Sequence, residues 1–174
     1  MSKPTRPLIP TKNRLLSALP GAEYNQLLPY LELVELSQST ILQDQNEIIQ
    51  YVYFPINAVV SLLSITEKDE NVEVGLVGRE GMIGVSVAMG VEKSPCRTMV
   101  QVSGNGMRLN ASTLSRELKR IDILNKLLLK YIHLLLAQSF RSSACKNFHS
   151  VESQLCYFLL ETDDRIKTGV IPYT

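Results

Sequence analysis

Between Val72 and Gly84 the chain reads VEVGLVGREGMIG, an alternating segment that runs into a glycine-punctuated stretch. Val72, Val74 and Leu76 share one face by the period of two, and Gly78-Arg79-Glu80-Gly81 forms a turn. The small residues that follow, Gly84-Val85-Ser86-Val87-Ala88, let backbone amides approach a ligand, and backbone donors suit an anion. Further on, Arg97-Thr98 sets a guanidinium beside a hydroxyl. A guanidinium meets phosphate or carboxylate through paired, charged hydrogen bonds. Gly84, Val85, Ser86, Arg97 and Thr98 are therefore the candidate effector pocket. Arg97 also reads as a strand-edge arginine paired with Glu92 or solvent, and Arg79-Glu80 as a solvated turn.

Other chemistry finds little support. The two histidines, His133 and His149, fall in or beside C-terminal helices, whereas a metal site in a barrel needs several imidazole and carboxylate ligands projecting from strands. No Ser-His-Asp set, phosphate-binding glycine loop or Cys-His zinc spacing is present, so the reading is a non-enzyme with no catalytic residue, metal or cofactor. His133 reads as a packed histidine, with a haem ligand as the other option. Cys96 would gain reactivity if Arg97 approached its sulfur. Otherwise Cys96, Cys145 and Cys156 read as small packing residues, Cys145 and Cys156 within helices.

The elements that must hold such a pocket follow from the patterning. The 174 residues, 45% hydrophobic and 20% charged, suffice for one core with a helical appendage. Eighteen basic and 17 acidic residues leave a net charge of +1, so no global footprint for nucleic acid exists. Three widely spaced cysteines fit a reducing cytoplasm. The basic, proline-bearing start lacks an apolar signal core and reads as a flexible arm over residues 1–12. The most apolar run, Ile121 to Ala137, is broken by Asp122, Asn125, Lys126, Lys130 and His133, which argues against a membrane span.

Leucines at helical spacing predict short helices over Asn13–Leu19 and Ala22–Leu28. Short β-branched runs then predict strands at Val34–Leu36, Thr40–Leu42, Ile48–Phe54, Ala58–Thr66, Val72–Val77, Thr98–Val102 and Met107–Leu109. Many short strands indicate an antiparallel barrel or sandwich. Glu67–Asn71 reads as an exposed hairpin loop, and Ser103-Gly104-Asn105-Gly106 as a turn using positive φ at glycine. Ser112 is a predicted N-cap for a helix to Lys119, a long helix runs from Asp122 to about Asn147, and Ser150 caps another to about Arg165. On the long helix Leu124, Leu127, Leu128, Tyr131, Leu134, Leu135 and Gln138 form a stripe, while Leu129, Ile132 and Leu136 lie outside it. A helix apolar on more than one face needs two partners, so the stripe is a predicted homodimer seam.

The Val72–Gly84 block, with Tyr51–Leu62 (YVYFPINAVVSL) before it and His149–Arg165 (HSVESQLCYFLLETDDR) after it, resembles the Crp/Fnr superfamily of bacterial transcription regulators, in particular members with a VGxEGxxG signature. The resemblance spans roughly Leu15 to Arg165. It implies an α+β fold: an antiparallel β-roll (double-stranded β-helix) of the cyclic-nucleotide-binding type over 13–120, with short N-terminal helices. A long C-terminal dimerisation helix would follow over 121–147, then a helix and linker over 148–174 toward a helix-turn-helix domain that this chain does not include. In cyclic-nucleotide-binding members a Gly-Glu-Leu turn supplies the glutamate for the ribose, and an Arg-Ser-Ala segment holds the phosphate. Here Gly84 matches the glycine and Arg97-Thr98 the arginine and hydroxyl, but Val85 replaces the glutamate and Met99 the alanine. A ribose hydroxyl buried beside valine loses about 1 to 3 kcal/mol, so cyclic AMP should bind weakly or not at all.

The expectation is thus a cytoplasmic, homodimeric sensor that binds a small anionic effector other than cyclic AMP and relays it to a DNA-binding domain. The alternatives are a stand-alone binding or purely dimerising module without DNA binding, or a scaffold whose pocket has lost its ligand.

Overall fold

The computed structural model describes residues 12–166. The chain enters through Asn13, fully buried and set as an N-cap: its side-chain oxygen accepts from the amides of Leu15 and Leu16. Its amide nitrogen donates to the carbonyls of Pro55 and Gly81, each at 2.9 Å, so one side chain ties the first helix to a strand end and to the glycine turn. Helices α1 (Arg14–Ser17) and α2 (Gly21–Leu27) are separated by Pro20 and followed by a 3-10 turn at Leu28–Tyr30. Leu16, Leu27 and Leu31 are buried against the roll.

Seven strands follow: β1 (Glu32–Leu36), β2 (Ile41–Gln43), β3 (Tyr51–Pro55), β4 (Val59–Ile65), β5 (Asn71–Val77), β6 (Arg97–Val102) and β7 (Gly104–Asn110). They build two antiparallel sheets, ordered β1-β7-β3 and β2-β6-β4-β5. Half-buried and buried residues alternate along β6, so Thr98, Val100 and Val102 face inward. Between the sheets pack Leu36, Ala58, Val60, Val77, Ile83 and Val100. A larger core joins Val52, Phe54, Met107 and Leu109 to the helices. Helices α3 (Ala111–Leu118), α4 (Asp122–Phe148) and α5 (Val151–Ile166) complete the described chain. The fold is the expected α+β β-roll with short N-terminal helices and a long C-terminal helix.

The structure corrects two local expectations. Gly104 and Gly106 are not turn residues but members of β7, paired to Leu36 and Val34 of β1, and neither has a positive φ. They are small because the chains are close: a Cβ at Gly104 would sit 2.6 Å from the Ala58 nitrogen, and one at Gly106 3.0 Å from Leu36 Cδ1. The cap of α3 is Asn110, whose side chain accepts from the Ser112 amide at 3.0 Å, so Ser112 is the capped residue rather than the cap.

Candidate functional site

The Gly78–Gly81 turn closes on itself, the Gly81 amide donating to the Gly78 carbonyl at 3.1 Å. Met82 and Ile83 then bury their side chains, and Ile83 exchanges backbone hydrogen bonds with Tyr53. Gly84 follows with φ of 80°, the left-handed region that glycine enters without strain. A Cβ there would also lie 2.7 Å from Gln43 Nε2, which itself donates to the Tyr51 carbonyl. The bend starts the 3-10 turn Val85–Met89, and Gly90 (φ 78°) ends it.

This turn is one wall of a cavity of about 180 Å³. Gly84, Val85, Ser86 and Thr98 line it together with Leu62, Met82 and Ile83 from the roll, and Ile132, Leu135, Leu136 and Ser139 of α4 form the opposite wall. Among the described residues no charged one lines it. Thr98 is 2% exposed and its Oγ1 has no hydrogen-bond partner.

Of the five candidate pocket residues, the structure brings four together and turns Arg97 away. Arg97 does not line the cavity; on the outer face of β6 its Nε and Nη2 meet Asp44 Oδ1 and Oδ2, both at 2.9 Å. That fork-to-fork bond, followed by the Gln45 amide, holds the Asp44 carboxyl below its ordinary value. The arrangement implied by the Crp/Fnr match, an arginine and a hydroxyl on one anion, is therefore not assembled, and Arg97's partner is Asp44 rather than Glu92.

The stripe on α4 also faces inward. Leu124, Leu128 and Tyr131 are buried in the chain's own core, Leu127 and Leu135 pack against it, and Gln138 donates to Glu161 of α5. Only Leu134 of that set is largely exposed. The predicted dimer stripe thus mostly covers the chain's own core, and the apolar residues that α4 leaves exposed include Ile123, Leu129, Leu136 and Phe140, the last 71% exposed.

The sequence reads one residue of the glycine signature as part of a solvated turn. Glu80 is no solvated turn residue: its Oε1 accepts from the Gly78 amide at 3.0 Å and from Arg165 Nε at 2.9 Å, fastening α5 to the turn. Arg165 Nη1 also donates to the Glu161 carbonyl, and Glu161 receives Tyr157 and Gln138. Nearby, Tyr131 lies over Gly81, where a Cβ would run into its ring and hydroxyl. Burial, then the charge of Glu80, pushes the Tyr131 pKa far up, so it is a neutral wedge.

The cysteine and histidine readings resolve simply. Burial raises the Cys96 pKa, the opposite of an activated thiol, and Cys156 is exposed rather than packed. His133 is exposed on α4 rather than packed. Among the described residues no group of three or more His, Cys, Asp or Glu could hold a metal, and no helix is long and apolar enough to cross a membrane.

No family model and no curated protein matches the chain. Solved structures do match. The c-di-GMP responsive global regulator CLP of Xanthomonas campestris superposes with a TM-score of 0.68 at 11% identity, over 82% of this chain and 72% of that one. FixK2 of Bradyrhizobium japonicum gives 0.67 at 12%, over 78% and 67%. The Thermus thermophilus catabolite activator protein gives 0.60 at 14%, over 77% and 63%, so the chain spans less than two thirds of that protein. The described residues thus have the fold of these regulators, the cyclic-nucleotide-binding-type β-roll with its C-terminal helix that the Crp/Fnr resemblance implies.

Proposed function

We propose that this chain is the sensor and dimerisation portion of a Crp/Fnr-like transcription regulator, working in the cytoplasm, with a small effector in the cavity under α4 and a DNA-binding domain as its output. The observation that carries the reading is the two-sided wall of the cavity: an occupant touches the Gly84 turn of the roll and the Ile132–Ser139 stretch of α4 at once. A ligand that binds one pose of α4 better than another shifts the population of poses by that difference in affinity. Cyclic AMP is a poor fit, because the cavity offers no cation for its phosphate and Val85 replaces the ribose acceptor. Homodimerisation would use the outward apolar residues of α4, Leu129, Leu136 and Phe140, which share a face at intervals of about seven and four.

The test is crosslinking in the source cells, capture with an antibody to the β-roll, and sequencing of the DNA that accompanies the protein. Enrichment of discrete promoter segments supports the regulator. Capture of the protein with no DNA enrichment overturns it in favour of a stand-alone module.

A further inference from the structure

The chemistry of the cavity itself narrows the effector, and the inference rests on the sensor reading above. Three features bear on it. The first is the lining. Leu62, Met82, Ile83, Val85, Ile132 and Leu135 dominate, and no Lys, Arg, Asp or Glu is among the lining residues. A charged occupant would give up its hydration with no counter-ion in return, whereas an apolar one gains by leaving water. The second is size. At about 180 Å³ the space slightly exceeds the roughly 150 Å³ apolar cavity known to stay dry and take up benzene. A single ring with a small substituent fits; a nucleotide with base, ribose and phosphate asks for more room and for charge. The third is Thr98, which lines the cavity and whose hydroxyl oxygen, buried, has no hydrogen-bond partner among the described residues. Of the other hydroxyls in the lining, Ser94 is already committed to the Cys96 carbonyl at 2.7 Å, while Ser86 and Ser139 stand on the turn and on α4. A buried hydroxyl without a partner is a standing cost that a ligand polar group can remove.

We infer that the cavity between the Gly84 turn and α4 binds an uncharged, single-ring, largely apolar molecule carrying one hydrogen-bonding group, with Thr98 as the residue that receives that group. The mouth agrees with this class: Met89 and Leu136, both exposed, stand at its edge, and a flexible thioether adapts to a range of apolar shapes. Arg97 plays no part in holding such a ligand, because it faces Asp44 on the other side of β6.

Phenol and toluene, nearly equal in shape and differing by hydroxyl against methyl, are the probes, with cyclic AMP as a third. Each is titrated into the 174-residue chain carrying methyl-labelled Ile, Leu, Val and Met, with affinities from the methyl shifts of Met82, Ile83, Val85, Ile132 and Leu135. Phenol is expected to move these methyls and to bind more tightly than toluene. Thr98→Val, which keeps the shape and deletes the hydroxyl, is expected to weaken phenol about five- to tenfold and to leave toluene within roughly twofold. Equal losses for both, or none for phenol, would remove Thr98 from the site. If phenol and toluene leave the cavity methyls in place while cyclic AMP moves them, the ligand class is overturned and the sensor reading survives. If none of the three moves them, both the ligand class and the small-effector sensor fall.

Discussion

Arg97 and Thr98 are neighbours on β6, and the period of two sends the guanidinium outward to Asp44 and the threonine inward to the cavity. Sequence matching had assigned both to one anion. The signal that separates them was already present in the alternation of the strand, which forbids consecutive residues from sharing a face. Asp44 itself left no trace, since nothing in a sequence pairs residues so far apart. Its depressed pKa sets a sign. A carboxylate below its unfolded value of 3.8 stabilises the fold above that pH and loses the contribution as pH falls through the folded value. Asp44→Asn should therefore lower the urea midpoint at about pH 6, and the difference from wild type should shrink as pH falls below 3.8, by parallel urea titrations. The side chains are 27% and 30% exposed, so the difference is small. Thr98→Val, by contrast, deletes an unpartnered buried hydroxyl and should leave stability unchanged or raise it by about 1 kcal/mol in the same assay.

At the scale of elements, the strands and long helix were legible because period two and period 3.6 are written along a single segment. Ser103–Gly106 was misread because glycine was counted as a source of positive φ, when in β7 it serves close approach to Ala58 and Leu36. The stripe on α4 was legible as apolar but not as to which body it covers; Leu124, Leu128 and Tyr131 turned out to serve their own roll. The docking of α5 was not legible at all, because it hangs on the distant pair Glu80–Arg165. Arg165→Ala should speed amide exchange over Val151–Ile166 while the β4 and β6 amides keep their protection, as read by hydrogen-exchange mass spectrometry. Gly81→Ala drives a methyl into Tyr131 and should cost about 2 kcal/mol of unfolding free energy, measured by urea titration.

For the whole molecule, the outward face of α4 exposes Leu129, Leu136 and Phe140 among polar residues, and burying them on a partner would remove apolar area from water. A wild-type dimer by light scattering at tens of micromolar, and a monomer for Phe140→Glu with unchanged circular dichroism, is the expected pair of results; a wild-type monomer would remove the seam. Such a variant leaves the cavity walls intact apart from any contact the partner makes at Leu136.

The chain turns back sharply after α4: His149 is extended, α5 runs antiparallel, and Gln138 bonds to Glu161 across the hairpin. The described polypeptide therefore ends not at the far tip of the long helix but beside the roll, with Arg165 held by Glu80. Glu80 is only a few residues before Gly84 on the same stretch of backbone. On the sensor reading proposed above, a ligand against the Gly84 turn would reach α5 as well as α4, along that stretch and across one ion pair.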